Sequence, residues 1–167
     1  MTEEPASSQP ERLLLSTRRE YLDALQRLIG SARRELRIFD ADFSLLDIES
    51  PPTYELLRAF LLGGRDNRLY IAVHDVNYIR NHCPRLLTLL QQFSDRMFIH
   101  RTGGDGARAQ DSFVLADRLH FVRRPVQAQP RAVLRLRDEQ ESQGMYLRFS
   151  EIWDSSEPAI SATTSGL

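Results

Sequence analysis

The alternation of helical and extended patterns along the first hundred residues is the strongest constraint on the fold. Amphipathic segments with helical spacing are each followed by a short apolar strand. Alternation of this kind favours parallel strands joined by right-handed crossovers. The predicted order is a helix at 17–34, a strand at 35–40, a helix between Ser50 and Gly63, a strand at 68–74, a helical turn at 75–81, a helix at 84–93 and a strand at 96–101.

The pattern changes after residue 101. A loop at 102–109 contains three glycines, and three consecutive strands with short links follow at 112–116, 120–123 and 132–137. Short links between strands favour antiparallel pairing. A last helix is predicted at 139–156, where Phe149 and Trp153 form an apolar seam against the sheet. We therefore expect an α/β fold with a mixed sheet, parallel in its N-terminal strands, antiparallel in its C-terminal strands and flanked by helices.

The two ends of the chain differ in composition from this central region. Residues 1–15 are rich in Glu, Ser, Pro and Gln, which predicts a disordered segment. Residues 157–167 are small and polar, which predicts a flexible tail. The expected organisation is one domain over 16–156 between two loose ends.

Charge composition restricts the chemistry. The net charge of −1 gives no general attraction for nucleic acid, and all 22 basic residues are arginine. A chain without lysine cannot form a Schiff base or hold a phosphate through a lysine amine. The single cysteine, Cys83, excludes an internal disulfide and is interpreted as a packed thiol.

Targeting signals are not evident in the sequence. No apolar run reaches the roughly 18 residues that span a bilayer, and the N-terminus is acidic and polar. We expect a cytoplasmic protein without membrane insertion.

Polar residues mark the carboxyl ends of the predicted parallel strands, where sites form in open α/β sheets. The next antiparallel strand begins at the same edge, so Gln110 and Ser112 are expected close to these ends. The strand ends carry Asp40, Asp42, His74, Asp75, His100 and Arg101.

Two interpretations of these strand-end residues remain open. Carboxylates near His74 or His100 could bind a metal or perform acid–base catalysis. Alternatively, Asp40 and Asp42 stabilise a turn and Asp75 caps the following helical turn. No metal-binding spacing such as HExxH is present, and the spacing favours the turn-stabilising role.

Arginines are frequent in the C-terminal half of the chain. Converging on one site, they would favour an anionic ligand such as a phosphodiester. The alternative is pairing with surface aspartates at positions 105, 111, 117 and 138. The arginines concerned are Arg101, Arg108, Arg118, Arg123, Arg124 and Arg131.

The stretch QDSFVLADRLHFVRRP at 110–125 carries the most informative pattern. Together with the opening LQRLIGSARRELRIFDADF and the order of elements, it resembles one half of the phospholipase D superfamily over roughly residues 17 to 155. That superfamily is marked by the motif His-x-Lys-x-x-x-x-Asp on a strand. The resemblance implies a phospholipase D-like α/β half.

The superfamily motif is only partly matched. Its aspartate corresponds to Asp117, its lysine to Ser112 and its histidine to Gln110. The later glycine–serine–x–asparagine pattern falls near Arg123 and Arg124 and is not preserved. Family chemistry requires a histidine that attacks phosphorus, and the neutral amide of Gln110 cannot replace it.

The resemblance implies a non-catalytic domain, a pseudoenzyme that acts as a binding or interaction module. Its ligand would be a phosphate-bearing molecule or a protein, and no cofactor or metal is expected. Candidate contacts are Gln110, Ser112, Asp117, Arg123 and Arg124. The alternative is a phosphodiesterase-like hydrolase of altered mechanism that uses His74 or His100 with Asp40 or Asp42.

Expectations about partners also come from the resemblance. Two halves pack face to face in the superfamily, which implies a homodimer. The chain most resembles an uncharacterised bacterial group with the same degenerate motif, in which the domain occurs alone or attached to an acetyltransferase domain.

Overall fold

The computed structural model describes residues 9–162, which form a mixed eight-stranded sheet with helices on both faces. The strands are β1 (Glu11–Leu15), β2 (Glu35–Asp40), β3 (Arg68–Val73), β4 (Met97–Arg101), β5 (Ser112–Ala116), β6 (His120–Arg124), β7 (Ala132–Leu136) and β8 (Glu157–Ile160). The helices are α1 (Arg18–Ser31), α2 (Pro51–Leu62), α3 (Asn77–His82), α4 (Pro84–Gln92) and α5 (Glu139–Asp154), with a 3₁₀ turn at Gly104–Arg108.

The predicted mixed α/β sheet is confirmed. Its strand order is β1-β7-β6-β5-β2-β3-β4-β8, and β2, β3 and β4 run parallel to one another. β5 pairs antiparallel with β2, with Val114 opposite Ile38, and β6 and β7 extend that side of the sheet. The parallel centre follows from the helical crossovers, and the antiparallel side follows from the short links between β5, β6 and β7.

Side-chain alternation along the strands divides the core into two layers. Ile38 of β2 and Val114 of β5 belong to the larger layer, which packs against α1, α2 and α4. Phe39 and Phe113, the neighbours in sequence, belong to the smaller layer and pack against Phe149 of α5. Successive residues of a strand point to opposite faces. A residue at the end of a strand therefore faces the same layer as the residue two positions before or after it in that strand.

Local capping signals set the helix starts. The Thr17 hydroxyl accepts the amide of Glu20 at 3.1 Å, and the Ser50 hydroxyl accepts the amide of Thr53 at 3.4 Å. Both caps stand at the helix starts that the sequence predicts, at residues 17 and 50. α1 ends at Ser31, before the predicted residue 34, because the backbone turns extended at Ala32.

The ends of the described chain differ from prediction. Glu11–Leu15 forms the edge strand β1, paired antiparallel with β7, and Glu157–Ile160 forms the other edge strand, β8, paired antiparallel with β4. The predictions of disorder over 11–15 and of a loose tail over 157–160 are therefore wrong. Each segment gains main-chain hydrogen bonds from a strand distant in sequence, which local composition does not reveal. Residues 1–8 and 163–167 lie outside the described residues.

None of the helices within residues 9–162 has the length and apolar character that a membrane span requires.

A close backbone approach joins the end of β4 to the end of α5. A Cβ added at Gly103 would lie 2.6 Å from the Ser155 carbonyl oxygen, whereas a Cβ at Gly144 within α5 would meet nothing within 4 Å.

We expect Gly103→Ala to lower the free energy of unfolding by about 1–3 kcal/mol. The matched Gly144→Ala should raise it by about 0.5–1 kcal/mol, because alanine is the better helix former. Urea denaturation of both variants measures these changes, and an unchanged Gly103→Ala protein would contradict the close approach.

Candidate functional site

The carboxyl ends of the strands carry two polar clusters, one on each face of the sheet. Asp40 and Ser112 continue the register of the larger core layer and lie on the α1 face. Asp111 lies on the opposite face, where it contacts α5. The predicted site residues are therefore divided between the two faces.

Asp40 is the centre of the first cluster. Its Oδ1 accepts hydrogen bonds from Ser112 Oγ at 2.5 Å and Arg124 Nη2 at 3.1 Å. Its Oδ2 accepts the backbone amides of Asp42 at 3.3 Å and Phe43 at 2.8 Å. The side chains of Arg124 and Asp40 are only 5% and 3% exposed. Arg124 lies directly opposite Ser112 in the β5–β6 pairing, so the strand register brings the cation to the carboxylate.

Tyr21 of α1 completes this cluster, which we call the Asp40 cluster (Asp40, Ser112, Arg124 and Tyr21). The Arg124 guanidinium lies over the Tyr21 ring, 4.6 Å from its centroid. Burial raises the pKa of Tyr21 to about 12; the charge of Arg124 opposes this rise and that of Asp40 adds to it. Ser112, which lies beside the hydroxyl, also opposes the rise of the pKa. Among the described residues, Tyr21 Oη and Arg124 Nε have no hydrogen-bond partner.

A cavity of about 260 Å³ adjoins the Asp40 cluster. One wall comes from the loop after β2, in which Phe43 is fully buried and has a φ of 77°. A bulky residue in this left-handed region is strained, and such strain concentrates at functional sites. The lining residues are Arg18, Tyr21, Leu45, Arg124, Ala128, Gln129 and Pro130.

Asp111 is the centre of the second cluster, the Asp111 cluster (Asp111, Arg123 and Arg148). Arg148 of α5 donates to its carboxylate through Nη2 at 2.5 Å and Nε at 3.0 Å, and Arg123 Nε donates at 3.0 Å. Burial alone would raise the pKa of Asp111, but the hydrogen bonds and charges of the two arginines hold the pKa below its ordinary value. The cluster attaches α5 to β6 and to the start of β5.

His74 lies on the α5 face, with its ring edge-on to Phe39 at 5.3 Å between centroids. Its Nε2 lies 2.7 Å from the Ala109 carbonyl oxygen and its Nδ1 lies 2.6 Å from Thr102 Oγ1. Because a carbonyl only accepts, Nε2 carries a proton that it donates to Ala109, and the Thr102 hydroxyl is the hydrogen-bond partner of Nδ1. Both nitrogens are engaged, and the sheet separates His74 from the Asp40 carboxylate.

His100 occupies a third position, near the edge strand β8. Its ring stacks on Trp153 with centroids 3.7 Å apart, and its Nδ1 lies 2.8 Å from Ser156 Oγ. Burial lowers the pKa of His100, which favours the neutral ring at neutral pH. His100 is thus part of the α5 packing and is not brought to Asp40 or Asp42.

The turn-stabilising interpretation is confirmed for Asp40 and Asp42, whereas Asp75 precedes Val76, the N-cap of α3, and does not itself cap that helix. Asp42 Oδ1 accepts the amide and the hydroxyl of Ser44 at 2.9 and 2.7 Å, and Asp75 Oδ1 accepts the amide of Asn77 at 2.8 Å. Asp40 has the same role towards its loop but also binds two side chains. Within residues 9–162 no three or more His, Cys, Asp or Glu side chains are placed to hold a metal ion.

The two remaining predicted ligand contacts, Asp117 and Gln110, differ in position and in their hydrogen bonds. Asp117 lies at the opposite end of β5, where its carboxylate accepts the backbone amides of Arg33, Arg34 and Glu35 at 2.8, 2.7 and 3.0 Å. Gln110 is exposed, just before the start of β5. Asp117 therefore stabilises the α1–β2 connection and is not brought to the Asp40 cluster.

Ion pairing accounts for four of the six arginines singled out from the sequence. Arg123 pairs with the predicted partner Asp111, but Arg124 pairs with Asp40. Arg118 pairs with Glu35 at 2.6 Å, and Arg101 lies 3.9 Å from Glu157. The arginines do not converge on one anion site.

Two contributors were missed by sequence reasoning. Tyr21 lies on the apolar stripe of α1, where its spacing resembles that of a core residue, although a buried tyrosine hydroxyl normally requires a polar partner. Arg148 was not singled out, although it follows Met145 by three residues and precedes Ile152 by four on the apolar side of α5. An arginine on the apolar side of a helix is the one local indication that the facing sheet carries a buried acid, which here is Asp111.

Cys83 behaves as the packed thiol that was predicted. It is fully buried, and burial together with the nearby Glu49 charge raises the pKa of its thiol to about 12.

Comparison with known families identifies the chain. A family model described as a domain of unknown function, DUF7931, matches residues 17–162. The chain belongs to the DUF7931 family. A search of curated proteins gave no match.

Solved structures show the fold to which this DUF7931 domain is similar. Nuc, a phospholipase D family member from Salmonella typhimurium, superposes with a TM-score of 0.67 at 12% identity and covers 92% of this chain and 100% of its own. NucT from Helicobacter pylori gives 0.62 at 11% identity, with 90% and 100% coverage. TrmBL2, an archaeal chromatin protein with a novel mode of DNA binding, gives 0.69 at 10% identity, covering 95% of this chain and 56% of its own. The domain therefore has the expected phospholipase D-like fold.

Asp117 and Gln110, at the two ends of the β5 segment, differ in their contacts. We expect Asp117→Ala to lower the free energy of unfolding by about 1–3 kcal/mol, because the carboxylate acceptor of three backbone amides is lost. The matched Gln110→Ala, at an exposed position, should change it by less than about 0.5 kcal/mol. Urea denaturation measures both, and equal effects would contradict a stabilising role of Asp117.

Asp111 should make the stability of this DUF7931 domain depend on acid pH. Its pKa is lowered in the folded state, so its stabilisation is present above the unfolded pKa of about 4 and is lost as pH falls through the lower folded value. We expect Asp111→Asn to cost about 2 kcal/mol at pH 7 and to show a shallower loss of stability below pH ~4. The exposed Asp66→Asn serves as the control and should keep the wild-type slope. Chemical denaturation at several pH values measures the slopes, and identical slopes for Asp111→Asn and wild type would disprove the coupling.

Proposed function

We propose that this DUF7931 domain is a non-catalytic, phospholipase D-like binding module for phosphate-bearing ligands, with the Asp40 cluster as its binding centre. The proposal is supported by two arginines, Arg18 and Arg124, whose side chains line one cavity beside the Asp40 cluster. Arg18 is exposed, and guanidinium groups are strong partners of phosphate oxygens.

The charges around the cavity suit an anion. Arg18 and Arg124 are positive, and Asp40, which is bound to Arg124, is negative. One positive charge is therefore in excess. A guanidinium N–H and a phenolic O–H are both strong donors to phosphate oxygens.

The residues at the motif positions argue for binding over hydrolysis. Ser112 donates to Asp40, an arrangement that can activate a serine nucleophile. Here the same carboxylate is also occupied by Arg124 and two backbone amides, and Ser112 is only 1% exposed, so a substrate has no access to its hydroxyl. Gln110 has a neutral amide that can neither attack phosphorus nor relay a proton.

The other predicted ligand contacts have different roles in this proposal. Arg123 belongs to the Asp111 cluster on the opposite face, and Asp117 to the α1–β2 connection. Gln110 lies at the same strand end as Ser112 and remains an exposed contact for a larger ligand.

The first test of binding is titration with inorganic phosphate, followed by thermal unfolding and calorimetry. We expect phosphate to raise the melting temperature of wild type, with about 2.7 kcal/mol of stabilisation at 100 times the dissociation constant. Arg58→Gln, at an exposed position of α2, should respond like wild type. Arg124→Gln should lose the response.

Arg124→Gln leaves the buried Asp40 charge uncompensated, so a second variant keeps this test interpretable. The double variant Asp40→Asn/Arg124→Met removes both charges, a change that proteins often tolerate. We expect it to fold and not to respond to phosphate. A full phosphate response in this folded variant would contradict the proposal.

Hydrolysis separates the binding module from the alternative enzyme. We expect no turnover of bis-p-nitrophenyl phosphate above the buffer rate. Turnover by wild type that is lost in His74→Ala would overturn the non-catalytic assignment in favour of an altered mechanism.

Protein partners stay part of the proposal. A homodimer, or contact with an attached acetyltransferase domain, follows from the superfamily resemblance. Light scattering at micromolar concentration tests the homodimer, and a monomer mass would contradict it.

A further inference from the structure

A groove lies between the 3₁₀ turn and α5, on the face of the sheet opposite the Asp40 cluster. We call it the α5 groove; residues of the segment 105–109 line one wall and residues of the segment 148–155 line the other. Its volume is about 570 Å³. Small-molecule sites in proteins commonly enclose about 300–1,000 Å³, so the groove has room for a small organic ligand.

The loop wall of the α5 groove is fixed at both ends. The Ser155 hydroxyl lies 3.0 Å from the Gly103 carbonyl oxygen at one end. At the other end, His74 Nε2 lies 2.7 Å from the Ala109 carbonyl oxygen. Between them, a Cβ added at Gly106 would lie only 3.2 Å from Ser155 Oγ, so the turn packs directly on the end of α5. Walls that are fixed before a ligand arrives reduce the ordering cost of binding.

Each wall carries one positive and one negative side chain. Asp105 and Arg108 belong to the loop wall, and Arg148 and Glu151, three residues apart, belong to α5. Asp105, Arg108 and Glu151 are exposed, and within residues 9–162 their side chains form no hydrogen bond and no ion pair. The two walls therefore present available groups of both signs to the same space.

Arg148 is the most firmly held of these four charges. Its Nε and Nη2 donate to the Asp111 carboxylate at 3.0 and 2.5 Å, while its side chain is still 40% exposed. Because Arg123 pairs with the same carboxylate, one negative charge is shared by two guanidinium groups and a positive charge remains in excess. A guanidinium held in this way is a suitable partner for the carboxylate of a ligand.

The lining between the charged groups is small or apolar. Gly106 and Ala109 contribute from the loop, and Ile152, which is 4% exposed, contributes from α5. Such a lining can cover an apolar side chain, whereas a further charged group would lose its water there without gaining a partner.

We infer that the α5 groove binds a zwitterionic amino acid with an apolar side chain, a function separate from the proposed phosphate binding. Arg148 and Arg108 bind its carboxylate. Glu151 and Asp105 bind its ammonium group. A ligand with a single charge would use one pair of side chains and meet the like charges of the other pair, whereas a zwitterion matches both.

L-Leucine is the probe, and titration of the isotope-labelled full chain followed by NMR measures its affinity and its position. We expect shift changes in residues 103–109 and 148–155. Isocaproate is leucine without the ammonium group, and isoamylamine is leucine without the carboxylate. Each should bind about tenfold more weakly than leucine, because each loses the contacts of one pair of charges.

Two variants assign the two charged groups of the ligand. Arg108→Gln and Glu151→Gln change exposed side chains without hydrogen bonds, and each should weaken leucine binding about fivefold. Arg108→Gln should leave the affinity for isoamylamine unchanged, and Glu151→Gln should leave the affinity for isocaproate unchanged. The control Glu55→Gln, at an exposed glutamate of α2, should bind leucine like wild type.

The outcomes are distinguishable from those of the phosphate experiment. The double variant Asp40→Asn/Arg124→Met changes the opposite face of the sheet and should bind leucine like wild type. Loss of leucine binding in that variant would contradict a separate site. Absence of leucine binding, equal affinity for leucine and either of its halves, or shift changes only outside the two walls would overturn the inference whatever phosphate does. Unchanged leucine affinity in both Arg108→Gln and Glu151→Gln would overturn it as well.

Discussion

The hydrogen bonds accepted by the Asp40 carboxylate hold together the end of the sheet at which β2 finishes. It accepts hydrogen bonds from Ser112 on β5, Arg124 on β6 and the amides of Asp42 and Phe43 in the following loop. A buried carboxylate without such partners costs several kcal/mol, so any arrangement that separates these donors is strongly disfavoured. One side chain at the end of β2 therefore fixes the register of two antiparallel strands and the path of a strained loop.

The alternation of the sheet explains why the strand-end residues do not form one site. Asp111 and Ser112 are adjacent in sequence, as are Arg123 and Arg124, yet each pair is divided between the two faces. The strand-end rule predicted from sequence that Asp40 and Ser112 would be close. The contribution of Tyr21 depends on how α1 packs over that end, which no local pattern specifies.

Sequence patterns predicted the central fold because its elements are specified locally. The buried stripe of each helix and the caps at Thr17 and Ser50 lie within a few residues of the structure they determine. The edge strands β1 and β8 are instead determined by pairing with residues that are distant in sequence. Each pairs with one distant strand and buries few side chains, among them Leu15 and Ile160, so neither shows the alternation that identifies a central strand.

Three polar residues of the segment 110–117 have different roles in the fold. Asp117 accepts three backbone amides where α1 leads into β2, so its loss would leave three main-chain donors without their acceptor. Gln110 is exposed and its side chain supports no such network. Ser112 donates to Asp40, and Arg124, which lies opposite Ser112 in the strand pair, donates to the same carboxylate. The fold therefore requires an acceptor at position 117 and a donor at position 112, and it places no comparable demand on position 110.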